Sequence, residues 1–214
     1  MLNKRIYFIR HGQSIDDELK IFQSYGSGLS ELGKNQVKAV SRELSNGSYD
    51  SLVSSPMQRA KDGAEIIAGT LHIEIQYSDL FVESMRPTEI EGKPRSDENA
   101  RKLHHEWKQT LCTAKDIHVS DGENYTDILL RAKRALIYLD GLEGSNIVVV
   151  THGYFLRTII AYIVLGDNLT PSLLKNFQDY TQIDNASVSA VDRILYKEAY
   201  IWHLHSMNGT TISR

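Results

Sequence analysis

The chain has one cysteine, Cys112, in 214 residues, so it can build neither an internal disulfide nor a multi-cysteine zinc site. A lone thiol fits a reducing compartment, and its expected place is an ordinary helix position. Four prolines and 14 glycines are too few for a collagen-like or proline-rich chain. Charge of one sign is not in excess either: 24 Lys and Arg face 27 Asp and Glu, a net charge of -3. The whole molecule therefore exerts no general pull on phosphate backbones, and nucleic acid is not an expected partner. Long apolar runs are missing as well. The longest, 159–165, is far below membrane-spanning length, and the four apolar residues at 6–9 are too short for a secretory leader. These absences make a soluble, cytoplasmic protein with no membrane partner the expectation. The 41% hydrophobic and 24% charged residues match an ordinary globular chain, and the length suits a single domain over 1–214.

Short β-favouring runs stand at 5–9, 51–53, 73–77 and 147–150, and later strands are expected at 187–191 and 200–204. Helical spacing lies between them. Ser30 is placed to cap a helix with Leu32, Val37, Val40 and Leu44 on one face. Ser55 is a cap with Pro56 at the first helical position, followed by Ala60, Ala64, Ile67 and Leu71. Ala100, Leu103, Trp107 and Leu111 form a third stripe, and Ile128, Ala132, Ala135, Leu136 and Leu139 a fourth. A fifth helix is expected soon after Gly153. Strands alternating with helices predict an α/β fold, a three-layer α/β/α sandwich around a mainly parallel sheet. Residues 84–121 fit the alternation least and read as an insertion over the sheet edge, able to cover a substrate.

Ligands of open α/β sheets bind beyond the carboxyl ends of the strands. Arg10 and His11 follow the first run, His152 follows the run at 147–150, and Arg59 stands early in the helix after the second run. Gly12 and Gly153 directly follow the two histidines, which would let the backbone approach a ligand. Two arginine forks, two imidazoles and helix N-termini suit a tetrahedral phosphoryl group. A neutral histidine among those charges can act as nucleophile, with the arginines neutralising charge in the transition state. Neither a metal nor another cofactor is then required.

These residues resemble the histidine phosphatase superfamily, whose members include the cofactor-dependent phosphoglycerate mutases. The resemblance is carried by Arg10-His11-Gly12-Gln13-Ser14, Leu29-Ser30-Glu31-Leu32-Gly33 with Gln36, residues 54–60, Gly122-Glu123 and Thr151-His152-Gly153, in that order. It implies a phosphoglycerate mutase-like fold and a phosphorylated His11. Arg10, Arg59, Gln13 and Ser14 would bind the substrate phosphate, with His152 as a further catalytic residue. Glu83 matches the family's proton donor, and a bound phosphate dianion should raise its pKa. Glu89 and Glu91 are nearby alternatives. Asp17 stands where the mutases often have asparagine, and Gly63 where threonine is common. Asp17 at the rim would disfavour a strongly acidic second group on the substrate. Both departures favour a phosphatase over a mutase.

The expected activity is therefore that of a histidine acid phosphatase-type phosphomonoesterase, taking a small phosphorylated substrate and releasing inorganic phosphate. Phosphoglycerate mutase-type transfer and a non-catalytic phosphate-binding module are the alternatives. Plainer readings apply elsewhere. His104-His105 point in different directions on a helix, and His203 and His205 share a strand face without a nameable third ligand, so no metal site is expected. Between 84 and 121, seven basic residues meet seven acidic ones, which reads as a mixed surface.

Overall fold

The structure, a computed structural model, describes residues 3–113 and 116–209. Among them, β1 (Lys4–Arg10), β2 (Ser51–Ser54), β3 (Ile75–Tyr77), β4 (Asn146–Thr151), β5 (Val188–Tyr196) and β6 (Ala199–Gly209) form one sheet in the order β3-β2-β4-β1-β5-β6. The first four strands are parallel; β5 runs antiparallel to β1, and β6 to β5. The two late strands are longer than the sequence suggests, because they form one hairpin that extends the sheet at its edge. The third strand is shorter: only Ile75–Tyr77 pairs, since β2 offers it a short partner.

Side chains alternate across a strand, and the alternation here divides the core in two. Ile6 and Phe8 of β1 join Ile147 and Val149 of β4 on one face, while Tyr7 and Ile9 join Val148 and Val150 on the other. The first face is covered by α5 (Tyr125–Gly141) and α6 (Gly153–Leu165). The second is covered by α2 (Glu31–Leu44) and α3 (Gln58–Leu71). Both faces of the central strands are thus dry, which is why they read as continuous apolar runs and why the sandwich has three layers. Each fully buried Ile, Val or Phe contributes roughly 1.5–3 kcal/mol relative to an exposed one.

The helices begin where side chains can satisfy their free N–H groups. Ser30 accepts from the Gly33 N–H at 3.1 Å and caps α2, and Asn124 with Asp127 makes a capping box on α5; each cap is worth about 1 kcal/mol. Val37, Val40 and Leu44 are buried on α2 as expected, but Leu32 is exposed, since the face turns outward at the first turn. The helix expected to start at Pro56 instead starts at Gln58, capped by the Met57 backbone. Ser55 is held elsewhere, accepting from the Met57 N–H and meeting His152. Two further helices that the sequence pattern does not assign are α1 (Ile15–Glu18) and α7 (Pro171–Tyr180), the latter packing Leu174 and Phe177 beside α6.

The 84–121 segment goes deeper than an edge cover. Its helix, α4 (Glu98–Thr110), places Trp107 in the same core as α5 and α6, with Leu111 beside it. Cys112 lies just past the end of α4 in a turn, not within the helix. No helix among the described residues is long and apolar enough to cross a membrane.

Candidate active site

Parallel pairing sets Arg10 of β1 opposite Thr151 of β4, so the residues that leave the two strands emerge side by side. His11 and His152 meet with ring centroids 5.0 Å apart. Arg59, in the first turn of α3, donates from Nε to His11 Nε2 at 3.2 Å. His11 Nδ1 lies 2.6 Å from the carbonyl of Gly12. The two contacts fit one tautomer only, with the proton on Nδ1 donated to that carbonyl and the lone pair on Nε2. Burial, then the charges of Arg59 and Arg10, push His11 well below its ordinary pKa, although the Gly12 bond pulls the other way. His152 is pushed down by burial, Arg59 and His11. Both imidazoles are therefore neutral at pH 7.

His152 Nε2 lies 2.8 Å from Ser55 Oγ. Its Nδ1 and the Nε of Arg10 are buried without a hydrogen-bond partner among the described residues. Buried donors and acceptors are rarely left unmade, because each costs about 1–3 kcal/mol. An unpartnered guanidinium N–H beside the two imidazoles, with a free ring nitrogen on one of them, suits an anionic ligand. Arg59 is almost fully buried, and burial lowers its pKa to about 10, so it keeps its charge at neutral pH.

Glu83 follows β3 and the 3-10 turn Asp79–Phe81. Its Oε1 accepts from the backbone N–H groups of Ser84 at 2.8 Å and Phe155 at 3.0 Å, and its Oε2 from Tyr154 at 3.1 Å. Tyr154 and Phe155 belong to the first turn of α6, whose dipole also favours a carboxylate. Burial raises the Glu83 pKa, but these bonds and Arg59 outweigh it and hold the group below its ordinary value. The backbone bonds and Arg59 thus oppose the raised pKa expected from the sequence, while burial and a substrate dianion push the other way. Of the nearby alternatives, Glu89 meets Ser120 Oγ at 2.5 Å and is exposed, and Glu91 accepts from the Tyr25 N–H at 3.2 Å.

The segment carrying Glu83 is braced from behind. Arg131 of α5 donates to Glu123 at 2.7 Å and to the carbonyls of Val82 and Glu83, while Glu123 accepts from the Met85 N–H at 2.9 Å. Thr151 Oγ1 donates to the Phe81 carbonyl at 2.8 Å. Glu123 of the Gly122-Glu123 pair therefore positions the Glu83 loop, a role its place in the sequence did not suggest.

Gln13 and Ser14 both take part in local structure through a side-chain oxygen. Gln13 Oε1 accepts from Ser30 Oγ at 2.8 Å. Ser14 is fully buried and its Oγ accepts from the Asp17 N–H, capping α1, and from Gln23 Nε2. Gly12 serves a close approach between backbones: a Cβ there would lie 2.3 Å from the Gly33 carbonyl oxygen, so packing against α2 by itself requires glycine. Gly63 faces Val37 and Val150 across the α3 packing interface, apart from the histidines. Asp17, expected at the rim, is tied by a 2.7 Å ion pair to Arg95 and accepts from Gln23.

The charge count along 84–121 hides a spatial sorting. Arg86 and Lys108 turn inward and, with Arg10 and with Arg157 of α6, line a cleft of about 270 Å³ that also holds Glu83 and Tyr154. A second pocket of about 170 Å³ shares Glu83, Ser84 and Arg86 and adds Arg59, Met57 and Tyr25. His11 and His152 lie buried beneath the arginines. Periodicity could not reveal Arg86, Lys108 or Arg157, since each sits in a different segment. Among the described residues no group of three His, Cys, Asp or Glu is arranged to hold a metal ion. His205 instead lies 3.4 Å from Asp192, next to Arg5.

Residues 6–208 match the histidine phosphatase superfamily (branch 1). The chain belongs to this family. It is similar to the bifunctional protein Rv2228c of Mycobacterium tuberculosis, 33% identical over 156 residues, covering 69% of this chain and 41% of that protein. The chain thus spans about two fifths of that relative's length. A probable phosphoglycerate mutase, GpmB of Photorhabdus laumondii, is 24% identical over 194 residues, covering 88% of this chain and 84% of that one. In fold it is similar to the mycobacterial glucosyl-3-phosphoglycerate phosphatase Rv2419c, with a TM-score of 0.77 at 22% identity, covering 96% of this chain and 99% of the other. The central sheet and its helices are those of phosphoglycerate mutase-like histidine phosphatases.

Proposed function

We propose that this member of the superfamily hydrolyses phosphomonoesters through a phosphohistidine on His11, without a metal ion. The observation that carries the reading is the His11 tautomer: Nδ1–H is held by the Gly12 carbonyl and the Nε2 lone pair faces Arg59, beside His152 and Arg10. An incoming phosphoryl group replaces the Arg59 contact and takes the guanidinium as its own partner. Nε2 attacks phosphorus as the ester P–O bond breaks, the arginines balance charge on the equatorial oxygens, and neutral His152 donates a hydrogen bond to one of them from Nδ1. The leaving oxygen takes a proton from Glu83, which the substrate dianion has made more basic. Water then attacks the phosphohistidine and gives its proton to the Glu83 carboxylate. The N–P bond breaks, inorganic phosphate departs and His11 is neutral again.

One observation favours a second reading. The cations of Arg86, Lys108 and Arg157 could retain a doubly charged intermediate, which mutase-type transfer requires and which the linear charge count did not suggest. Incubation with 3-phosphoglycerate and a trace of 2,3-bisphosphoglycerate separates the two. Phosphate release outrunning isomerisation is the expected result; rapid 2-phosphoglycerate formation with negligible phosphate would favour the mutase. Turnover of a generic aryl phosphate excludes a module that only binds phosphate.

A further inference from the structure

The cleft holds more positive charge than one phosphoryl group uses. Arg10 and Arg59 stand beside the histidines, yet Arg86, Lys108 and Arg157 converge on the same space. Among the described residues none of these three lies within ion-pair distance of a carboxylate, whereas Arg5, Arg95, Arg131 and Arg193 all do. Lys108 Nζ meets ring faces instead, 3.9 Å from the centroid of Tyr154 and 4.9 Å from that of Trp107. Arg157 donates from Nη1 to the carbonyls of Gln178 and Thr181, both at 2.7 Å, and from Nε to Gly153. The one carboxylate lining the cleft, Glu83, has both oxygens engaged by backbone N–H groups.

Withdrawing cations from water without a counter-charge is costly, and a fold that assembles three of them from separate segments is suited to receive an anion. We propose that the natural substrate is a phosphomonoester with a second anionic group a few bonds from the ester oxygen, held by Arg86, Lys108 and Arg157 while Arg10 and Arg59 hold the phosphoryl group. The proposal rests on the hydrolase reading of the same cleft. Asp17, the residue that would have repelled such a group, is neutralised by Arg95. Burial lowers Lys108 to about 8 and also lowers Arg86 and Arg157, and the nearby charge of Glu83 offsets this only in part. A carboxylate and a second phosphate share the required chemistry.

The test compares 3-phosphoglycerate with glycerol 3-phosphate, which differ by a carboxylate in place of a hydroxymethyl group, and adds glycerol 1,3-bisphosphate. The expected kcat/KM favours the doubly anionic compounds by about tenfold or more, the scale of one charge-assisted bond, and the preferred one of the two identifies the anion. Lys108→Met and Arg86→Gln should each reduce that ratio, while Lys102→Gln on the exposed face of α4 should leave the ratio in place. Equal handling of the esters with and without a second anionic group, or a ratio untouched by both cleft variants, would overturn the proposal. Equilibrium binding of the same three compounds to His11→Ala keeps the two readings apart. A binding preference without turnover in the unaltered protein would strike the hydrolase reading alone, and equal affinities would strike the second anion site.

Discussion

The Nε of Arg59 and the Nε2 of His11 lie 3.2 Å apart, donor to acceptor, in a site where both residues are at most 1% exposed. A buried, always-charged guanidinium pointing at an imidazole lone pair forbids a proton there. It also marks where a phosphoryl oxygen would sit once the nitrogen has attacked, so one contact prepares the nucleophile and its product.

Replacing His11 by alanine should therefore abolish turnover, with kcat falling by at least about 10⁴-fold, the scale seen when a nucleophile is removed. The fold should persist with a cost of about 1–3 kcal/mol, since Arg59 Nε and the Gly12 carbonyl lose a buried partner. Steady-state kinetics with a denaturation curve measure both. Rapid quench of the unaltered protein with labelled substrate should trap an acid-labile phosphoenzyme; normal activity in His11→Ala would end the mechanism.

For Glu83 the expected signature is in the leaving group. Glu83→Gln should lose about 10²–10⁴-fold on an alkyl phosphate, whose basic oxygen needs a proton, and far less on nitrophenyl phosphate. Equal losses on both would mean that the side chain mainly anchors α6 through the Tyr154 and Phe155 N–H groups.

Activity should survive exhaustive chelation, because two arginines at the phosphoryl site can supply the charge that a metal would otherwise bring. Loss on chelation, restored by one particular divalent ion, would contradict this.

Stability should fall on acidification below about pH 6.5. Burial lowers His104 to about 4, so between these values the unfolded chain binds a proton that the folded one excludes, and stability is lost as pH drops through that window. His11 and His152 act in the same direction. So does Glu83, whose lowered pKa gives stability that is present at neutral pH and lost in acid. His104→Phe keeps the ring beside Phe22 and Trp107 and should remove about 1 kcal/mol of the difference between pH 7.5 and 4.5, allowing for partial exposure. Urea midpoints at the two pH values give the slope; an unchanged slope would exclude His104 as a source.

Local pattern was enough for much of this protein. Apolar runs buried on both faces predict the parallel strands, and a polar residue directly after such a run falls at the sheet's carboxyl edge, so Arg10, His11 and His152 were legible from position alone. Arg59 was legible because helix α3 follows β2 at once. Packing between distant segments decided the rest. Gln13 and Ser14 carry the right chemistry for phosphate, and the fold adds contacts that local pattern does not show: Gln13 Oε1 accepts from Ser30, and Ser14 Oγ accepts from Asp17 and Gln23. Glu83 gained its backbone cradle only because α6 starts beside it. The even charge count along 84–121 became a cationic cleft only when Arg86 and Lys108 were folded inward to meet Arg157. A linear sequence sets each residue's charge and local conformation; which charges share a low-dielectric space depends on contacts between residues far apart in the chain, and those the tertiary fold alone supplies.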